Sequence, residues 1–185
     1  SLRNVWRDHF ERWTVRPTSI YVARNAKAPI PEHANVVIFG FQAAVTRKGE
    51  ETPAAYADAM KQQWDLLIVD EGHFLKNPEA KRTQAIIRVE KYDKAKKEVT
   101  QEKEGLAHRA RRKVFLTGTP LPNRPLEMWP LLHALAPKEF KSWGQYAYRY
   151  TNVEETKYGI QFKGSRNEAE LNERIKTLGG DWTKY

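Results

Sequence analysis

The chain has 185 residues, a length that suits one domain with a buried core and excludes most multi-domain machines. Its 32 Lys and Arg residues outnumber 23 Asp and Glu, and the net charge of +9 favours a polyanionic partner. The lack of cysteine excludes disulfides, thiolate zinc sites and thiol catalysis, and no apolar run approaches the roughly 20 residues of a membrane span. We therefore expect an intracellular protein with no membrane partner.

Helical and strand patterns alternate along the chain. Apolar residues spaced by three or four predict helices, and short β-branched runs that end in turn residues predict buried strands. In chain order these are a helix over 2–13, a weak strand at 19–22, a strand at 35–39, a helix over 53–64, a strand at 65–70, a helix over 79–97, a strand at 114–117 and a helix over 126–135. This order predicts the α/β class, a parallel sheet with helices on both faces.

No linker or internal repeat divides the chain, so we predict a single domain over residues 1–185. Residues 138–185 are less regular and rich in aromatic side chains, and we expect them to pack on that domain as an appendage.

One segment, residues 88–113, departs from this plan because it holds ten basic and five acidic residues, a local charge of +5. A long solvated helix that frays into a surface loop accounts for such a composition. The alternative is an insertion that faces DNA or a partner, with its basic residues clustered at Arg109, Arg111, Arg112 and Lys113.

Two adjacent carboxylates, Asp70 and Glu71, follow the apolar run 66–69. Ligands of open α/β sheets bind at the carboxyl ends of the strands, and neighbouring acids there need a compensating cation. A nucleotide-bound Mg²⁺ would supply it, with Asp70 on the metal and Glu71 orienting the attacking water. The alternative is a loop start or helix cap, and the strand before the pair and His73 after it favour the functional interpretation.

A second strand exit follows at residues 114–120, where Thr117, Gly118, Thr119 and Pro120 end the predicted strand. The glycine frees the backbone, and the threonine hydroxyls can hydrogen-bond across the strand ends. An ordinary strand-to-loop exit has the same composition, but this one is expected beside the acidic pair in the predicted sheet.

The two segments resemble motifs II and III of the Swi/Snf-type superfamily II helicase-like ATPases, which are double-stranded-DNA translocases. Residues 64–77 read WDLLIVDEGHFLKN, with a DEAH-like box, and residues 116–123 read LTGTPLPN. Residues 1–6 (SLRNVW) resemble motif Ia, and residues 36–41 (VVIFGF) resemble motif Ib. Residues 148–150 and 164–167 are similar to the annealing-helicase (HARP-like) branch.

The resemblance implies the first RecA-like lobe of P-loop NTPase type, with ATP and Mg²⁺ as cofactors. It implies Walker B roles for Asp70 and Glu71, a relay near the γ-phosphate for His73, and coupling of nucleotide state to DNA by residues 117–120. It also implies sequence-independent contact with double-stranded or fork-like DNA and a second RecA-like lobe in cis. The expected location is the nucleus in a eukaryote, or the cytoplasm or nucleoid in a bacterium or phage. The residues expected to touch DNA are Ser1, Leu2, Asn4, Phe41, Arg109, Arg111, Arg112 and Lys113.

The sequence also departs from the family pattern. No phosphate-binding GxxxxGK[ST] element occurs, so we expect the chain to begin just after that loop, to stop before the second lobe, and to hydrolyse no ATP by itself. Gly72 stands where the family usually has Ala or Ser, which we expect to loosen the turn. Two alternatives stay open: a non-catalytic basic nucleic-acid-binding domain that keeps the lobe fold, and a Mg²⁺-dependent nuclease that uses Asp70 and Glu71.

Overall fold

The computed structural model describes residues 2–16, 18–24, 27–88, 92–93, 98–99, 104–118, 125–157 and 159–178. The helices in these ranges are α1 (Leu2–Trp13), α2 (Ala54–Lys61), α3 (Lys81–Ile86), α4 (Trp129–Leu135), α5 (Trp143–Tyr150) and α6 (Glu168–Thr177). The strands are β1 (Ile20–Val22), β2 (Val36–Ile38), β3 (Trp64–Val69), β4 (Tyr92–Asp93), β5 (Glu98–Val99), β6 (Ala110–Phe115), β7 (Asn152–Thr156) and β8 (Gly159–Lys163). Short 3₁₀ turns occupy Phe41–Ala44, Gly72–Leu75, Leu106–Arg109 and Pro125–Met128.

The described strands pair two by two. β1 and β2 are parallel, with Ile20 opposite Val36, and β3 pairs with β6. β4 pairs with β5, and β7 with β8, in antiparallel hairpins. The mixture of helices and small sheets is consistent with the α/β class, but the expected continuous parallel sheet is not formed by the residues that the structure describes. No helix among those residues is long and apolar enough to cross a bilayer.

The first of two compact units comprises Ser1–Asp65 and Ala80–Arg111. Its core is built from small and branched apolar side chains, among them Ala55, Ile86 and Leu106. The Arg3 guanidinium donates to the Ala23 carbonyl and so ties α1 to the chain after β1. The Tyr56 hydroxyl donates to the Ala85 carbonyl and joins α2 to α3, and burial raises the pKa of this phenol.

The second unit comprises Leu66–Glu79 and Arg112–Tyr185. Its core includes large side chains that are almost fully buried, namely Leu75, Met128, Leu132, Tyr146, Tyr150 and Leu171. Trp129 Nε1 donates to the Phe140 carbonyl, and His133 Nδ1 lies 2.9 Å from the same oxygen. The Tyr146 hydroxyl donates to the Pro125 carbonyl, so α5 holds the turn that precedes α4. Each of these polar groups therefore has a hydrogen-bond partner, as groups buried in a close-packed core require.

The prediction of a helix over residues 79–97 is wrong. α3 ends at Ile86, and Arg88 adopts a left-handed conformation with φ 43°, in which its N–H bonds to the Thr83 carbonyl. Such a residue stops a helix. Gly105 packs against this end, because a Cβ there would lie 2.8 Å from the Ile86 carbonyl oxygen. The basic cluster that follows lies in a 3₁₀ turn and in β6, which begins four residues before the expected start at residue 114.

The expectation of buried strands is also wrong in detail. Val69 is buried, but Leu66 is 46% exposed in the same strand, and Val114 in β6 is 39% exposed. Each described strand has one hydrogen-bonded neighbour, which leaves its other edge unpaired within the described ranges. The exposed side chains lie on faces of these strands that no described element covers completely. Other boundaries agree closely: α1 matches residues 2–13, and β2 and β3 lie within one residue of the expected strand starts.

The buried face of α4 can be tested with two leucines of one helix. Leu132 is 1% exposed and Leu135 is 44% exposed. We expect Leu132→Ala to lower the free energy of unfolding by about 2–5 kcal/mol, because it leaves a cavity, and Leu135→Ala to change it by about 0.5 kcal/mol. Urea unfolding followed by tryptophan fluorescence measures both, and equal losses would contradict the assigned face.

Candidate functional site

The acidic pair begins a strained turn at the end of β3. Val69 ends the strand in the core, and Asp70 and Glu71 emerge partly exposed. Glu71 has φ 52° and ψ 49°, a left-handed conformation that is uncommon for a residue with a Cβ. Its N–H is held by the Asp70 carboxylate, with Oδ1 accepting at 2.9 Å. Strain of this kind costs on the order of 1–3 kcal/mol and is concentrated at functional sites.

Two backbone hydrogen bonds hold this turn against the chain that follows β6. The Leu116 N–H donates to the Val69 carbonyl at 2.9 Å, and the Gly72 N–H donates to the Leu116 carbonyl at 2.7 Å. A Cβ on Gly72 would lie 3.3 Å from Phe115 Cβ and 3.5 Å from the Leu116 oxygen. Gly72 therefore occupies a close-packed, buried position, where an alanine would require a shift of a few tenths of an ångström at Phe115. The expectation that Gly72 loosens the turn stays a prediction.

His73 connects the acidic pair to the second motif. Its Nδ1 lies 3.1 Å from Glu71 Oε2 and 3.2 Å from the Thr117 hydroxyl oxygen. A proton on Nδ1 can be donated to the carboxylate, whereas an unprotonated Nδ1 accepts the hydroxyl proton of Thr117. The imidazole is 28% exposed and the Glu71 side chain 47%, so both are within reach of a ligand from solvent.

Lys76, which follows the acidic pair in the sequence, contacts the turn before α4. Lys76 Nζ lies 3.4 Å from both carboxylate oxygens of Glu127, and the Asn77 side chain accepts the Glu79 N–H at 2.9 Å. The Lys76 and Glu127 contact was not expected from the sequence. The two residues lie 51 positions apart, and no local sequence pattern connects them.

The structure brings together Asp70, Glu71, His73 and Thr117, as the motif spacing predicts. Gly118 follows Thr117 with open space around its Cα, while Thr119 and Pro120 lie outside the described residues. Within the described ranges, no group of three or more His, Cys, Asp or Glu side chains could hold a metal ion. A cation at the acidic pair would therefore take its remaining ligands from a bound anion and water.

The expected DNA-contacting residues fall into both units. Leu2, Asn4, Phe41, Arg109 and Arg111 belong to the first, Arg112 and Lys113 belong to the second, and Ser1 lies outside the described residues. Their exposure differs within the basic cluster.

Arg111 and Arg112 are exposed on β6. Arg109 instead pairs with Glu104 at 2.6 Å, and its Nε is buried without a hydrogen-bond partner in the described part of the chain.

Comparison with known proteins places these motifs in a family context. The family described as the SNF2-related domain matches residues 1–97 and 93–178. The chain is similar to the mouse (Mus musculus) DNA annealing helicase and endonuclease ZRANB3, with 29% identity over 187 residues. That alignment covers 96% of this chain and 15% of the relative.

Two further relatives are matched over smaller shares of this chain. The first, from Xenopus tropicalis, is the SWI/SNF-related matrix-associated actin-dependent regulator of chromatin subfamily A-like protein 1, 26% identical over 174 residues. It is matched over 92% of this chain and 16% of its own length. Helicase ssl-1 of Caenorhabditis elegans is 36% identical over 95 residues, which is 51% of this chain and 3% of the relative. The chain thus spans a small part of the length of each relative.

The Lys76 and Glu127 pair is expected to contribute little to stability. The side chains are 48% and 25% exposed, so water screens the charges. In a double-mutant cycle with Lys76→Met and Glu127→Gln, we expect a coupling free energy of about 0.5 kcal/mol or less. The bidentate pair of Arg149 and Glu170, at 2.7 and 2.9 Å, serves as the comparison and should couple more strongly. A Lys76 coupling that exceeds that of Arg149 would refute this ranking.

Proposed function

Because this chain belongs to the SNF2-related domain family, we propose that it is part of an ATP-dependent enzyme that translocates along double-stranded DNA and anneals strands. The observation that carries the proposal is the juxtaposition of Asp70, Glu71, His73 and Thr117 where β3 ends and β6 exits. The similarity to a DNA annealing helicase over 96% of the chain supports the same branch. The proposed fold is the first RecA-like lobe, and its partner is a second such lobe in the same protein.

The acidic pair fits a nucleotide-bound magnesium ion. Mg²⁺ prefers carboxylate oxygen and is held in nucleotide sites by one or two carboxylates together with phosphate oxygens and water. Asp70 is the proposed ligand because it directly follows the buried end of β3. The bound ion would neutralise charge on the phosphates during transfer to water.

Glu71 is the proposed residue that orients the attacking water. Its left-handed backbone lifts the carboxylate out of the strand direction, and the His73 imidazole holds one carboxylate oxygen. The other oxygen remains available to accept a hydrogen bond from water. Thr117 contacts the same imidazole nitrogen, so we infer that His73 relays the state of the acidic pair to the exit of β6.

The proposed DNA contacts are electrostatic and independent of sequence. The net charge of +9 favours a polyanion, and the exposed guanidinium groups of Arg111 and Arg112 suit phosphate oxygens. Leu2, Asn4 and Phe41, on α1 and the turn after β2, are proposed to touch the backbone of double-stranded or fork-like DNA. The three relatives above are animal proteins, which favours a nuclear location.

We also propose that these 185 residues alone turn over no ATP, because their sequence holds no GxxxxGK[ST] element to bind the β- and γ-phosphates. The same observation favours a second candidate, a basic domain that binds nucleic acid without catalysis. The coding sequence upstream of Ser1 separates the two. A phosphate-binding loop there supports the enzyme, and an initiator methionine there supports the binding domain.

The role of Glu71 is tested in the full-length protein that carries this chain. Glu71→Gln keeps the shape of the side chain and removes its charge, so DNA-stimulated ATP turnover should fall by about 10²–10⁴-fold. ATP and DNA affinity should change little. Glu79→Gln, which changes an exposed carboxyl eight residues away, is the matched control and should retain turnover. Loss of DNA binding in Glu71→Gln would count against a water-orienting role.

The role of the exposed β6 arginines is tested by charge reversal. Arg111→Glu with Arg112→Glu should weaken duplex binding and lower the slope of log K against log salt by about 0.9 for each phosphate that the variant no longer neutralises. Lys157→Glu with Lys176→Glu makes the same charge change elsewhere on the surface and should have a smaller effect. An unchanged slope in the arginine variant would show that these side chains face only solvent.

A further inference from the structure

A cavity of about 690 Å³ lies in the second unit, away from the acidic pair. It is lined by α5, by one residue of α6 and by the short segments that precede each helix. Its volume is within the range of small-molecule sites, about 300–1,000 Å³. None of the residues placed in the proposed ATP site lines it.

The floor of this cavity is aromatic and uncharged. Phe140, Tyr146 and Tyr150 are nearly fully buried, and the rings of the two tyrosines lie 4.8 Å apart. Burial raises the pKa of Tyr146 and of Tyr150, so both stay as neutral phenols. Their hydroxyls are already bonded, Tyr146 to the Pro125 carbonyl and Tyr150 to the Glu170 carboxylate. The floor therefore offers an apolar surface and no negative charge.

Three guanidinium groups and one carboxylate, Glu139, line the walls of the cavity. Glu139 lies 3.8 Å from Arg174 and offsets part of the positive charge. Arg149 makes a bidentate contact with Glu170, a pairing that holds the pKa of this carboxyl below its usual value. Arg174 stacks 4.6 Å above the Phe140 ring and donates to the Tyr150 hydroxyl. These two arginines are fixed in place.

The third guanidinium, that of Arg166, is not paired with any residue in the described part of the chain. Arg166 is exposed. Its backbone is held, because its N–H donates to the Tyr150 carbonyl at 2.9 Å. A free guanidinium on a fixed backbone at the wall of a cavity is well placed to bind phosphate through two parallel hydrogen bonds.

The cavity also presents an exposed aromatic ring. Tyr148 is 50% exposed, and its ring lies 5.2 Å from the Phe162 ring of β8, with an angle of 89° between the ring planes. This contact holds the ring while leaving surface open to solvent. Exposed tyrosine rings stack on nucleic-acid bases in a way that tolerates any base, because every base has an aromatic face.

We propose that this cavity binds a nucleotide unit, with its phosphate on Arg166 and its base on the ring of Tyr148. The pairing of a planar ring and a free guanidinium at one cavity matches the two halves of a nucleotide. The unit can come from a single strand of DNA or from a free mononucleotide. The site is distinct from the proposed ATP site and does not depend on it.

Fluorescence anisotropy of a labelled oligothymidine strand with the 185-residue chain tests the proposal. Arg166→Ala and Tyr148→Ala should each weaken binding by about tenfold, whereas Tyr148→Phe should bind like the unmodified chain because it keeps the ring. Lys176→Ala, which removes an exposed cation that does not line the cavity, is the matched control. Thermal unfolding of each variant shows that the fold is retained.

The outcomes separate the sources of the ligand. Competition by thymidine monophosphate assigns the site to free nucleotides, and competition by unlabelled strand alone assigns it to DNA. The proposal is overturned if Arg166→Ala and Tyr148→Ala bind the strand unchanged, if the strand does not bind, or if polyglutamate competes equally well. These results are independent of Glu71→Gln and of the Arg111 and Arg112 variants, so either proposal can fail while the other stands.

Discussion

The turn that carries the acidic pair depends on the two backbone hydrogen bonds of Leu116. One reaches Val69 before the acidic pair and the other reaches Gly72 after it, so Asp70 and Glu71 form a short bulge clamped at both ends. The left-handed conformation of Glu71 is tolerated because the clamp leaves the chain no relaxed alternative. Thr117 follows Leu116 directly, and the clamp therefore also brings its hydroxyl to His73. Backbone hydrogen bonds thus bring the side chains of the candidate site together.

The sequence predicts this site better than it predicts the surrounding fold. An apolar run followed by two acids, and a second strand ending at Thr117, were enough to place these residues together, because neighbouring strands end at one edge. The end of α3 could not be predicted, since Arg88 adopts a conformation that sequence patterns assign to glycine. The start of β6 was missed because Arg111, Arg112 and Lys113 have no β-branched pattern. The exposure of the strands was missed because it depends on which elements pack on their faces, and local patterns do not encode that.

In the aromatic appendage, residues 138–185, the sequence again predicts some contacts and misses others. Its aromatic richness indicates packing, and the structure buries Tyr146 and Tyr150 on one face of α5 while leaving Tyr148 exposed. Helical periodicity accounts for that sorting. The ionic contacts that join α5 to α6 are not visible in the sequence, because Arg149 and Glu170 are 21 residues apart and lie on different helices. Such pairing follows from the angle at which the helices meet, which local patterns do not encode.

Glu71 and Thr117 both contact a single atom, Nδ1 of His73. A proton on Nδ1 can be shared between the Glu71 carboxylate and the hydroxyl oxygen of Thr117, whereas an Nδ1 without a proton accepts from Thr117 and cannot donate to Glu71. The tautomer of His73 therefore decides whether the ring nitrogen is bonded to Glu71. A move of the proton from Nδ1 to the other ring nitrogen would thus change the contacts on both sides of the imidazole, at the acidic pair and at the end of β6.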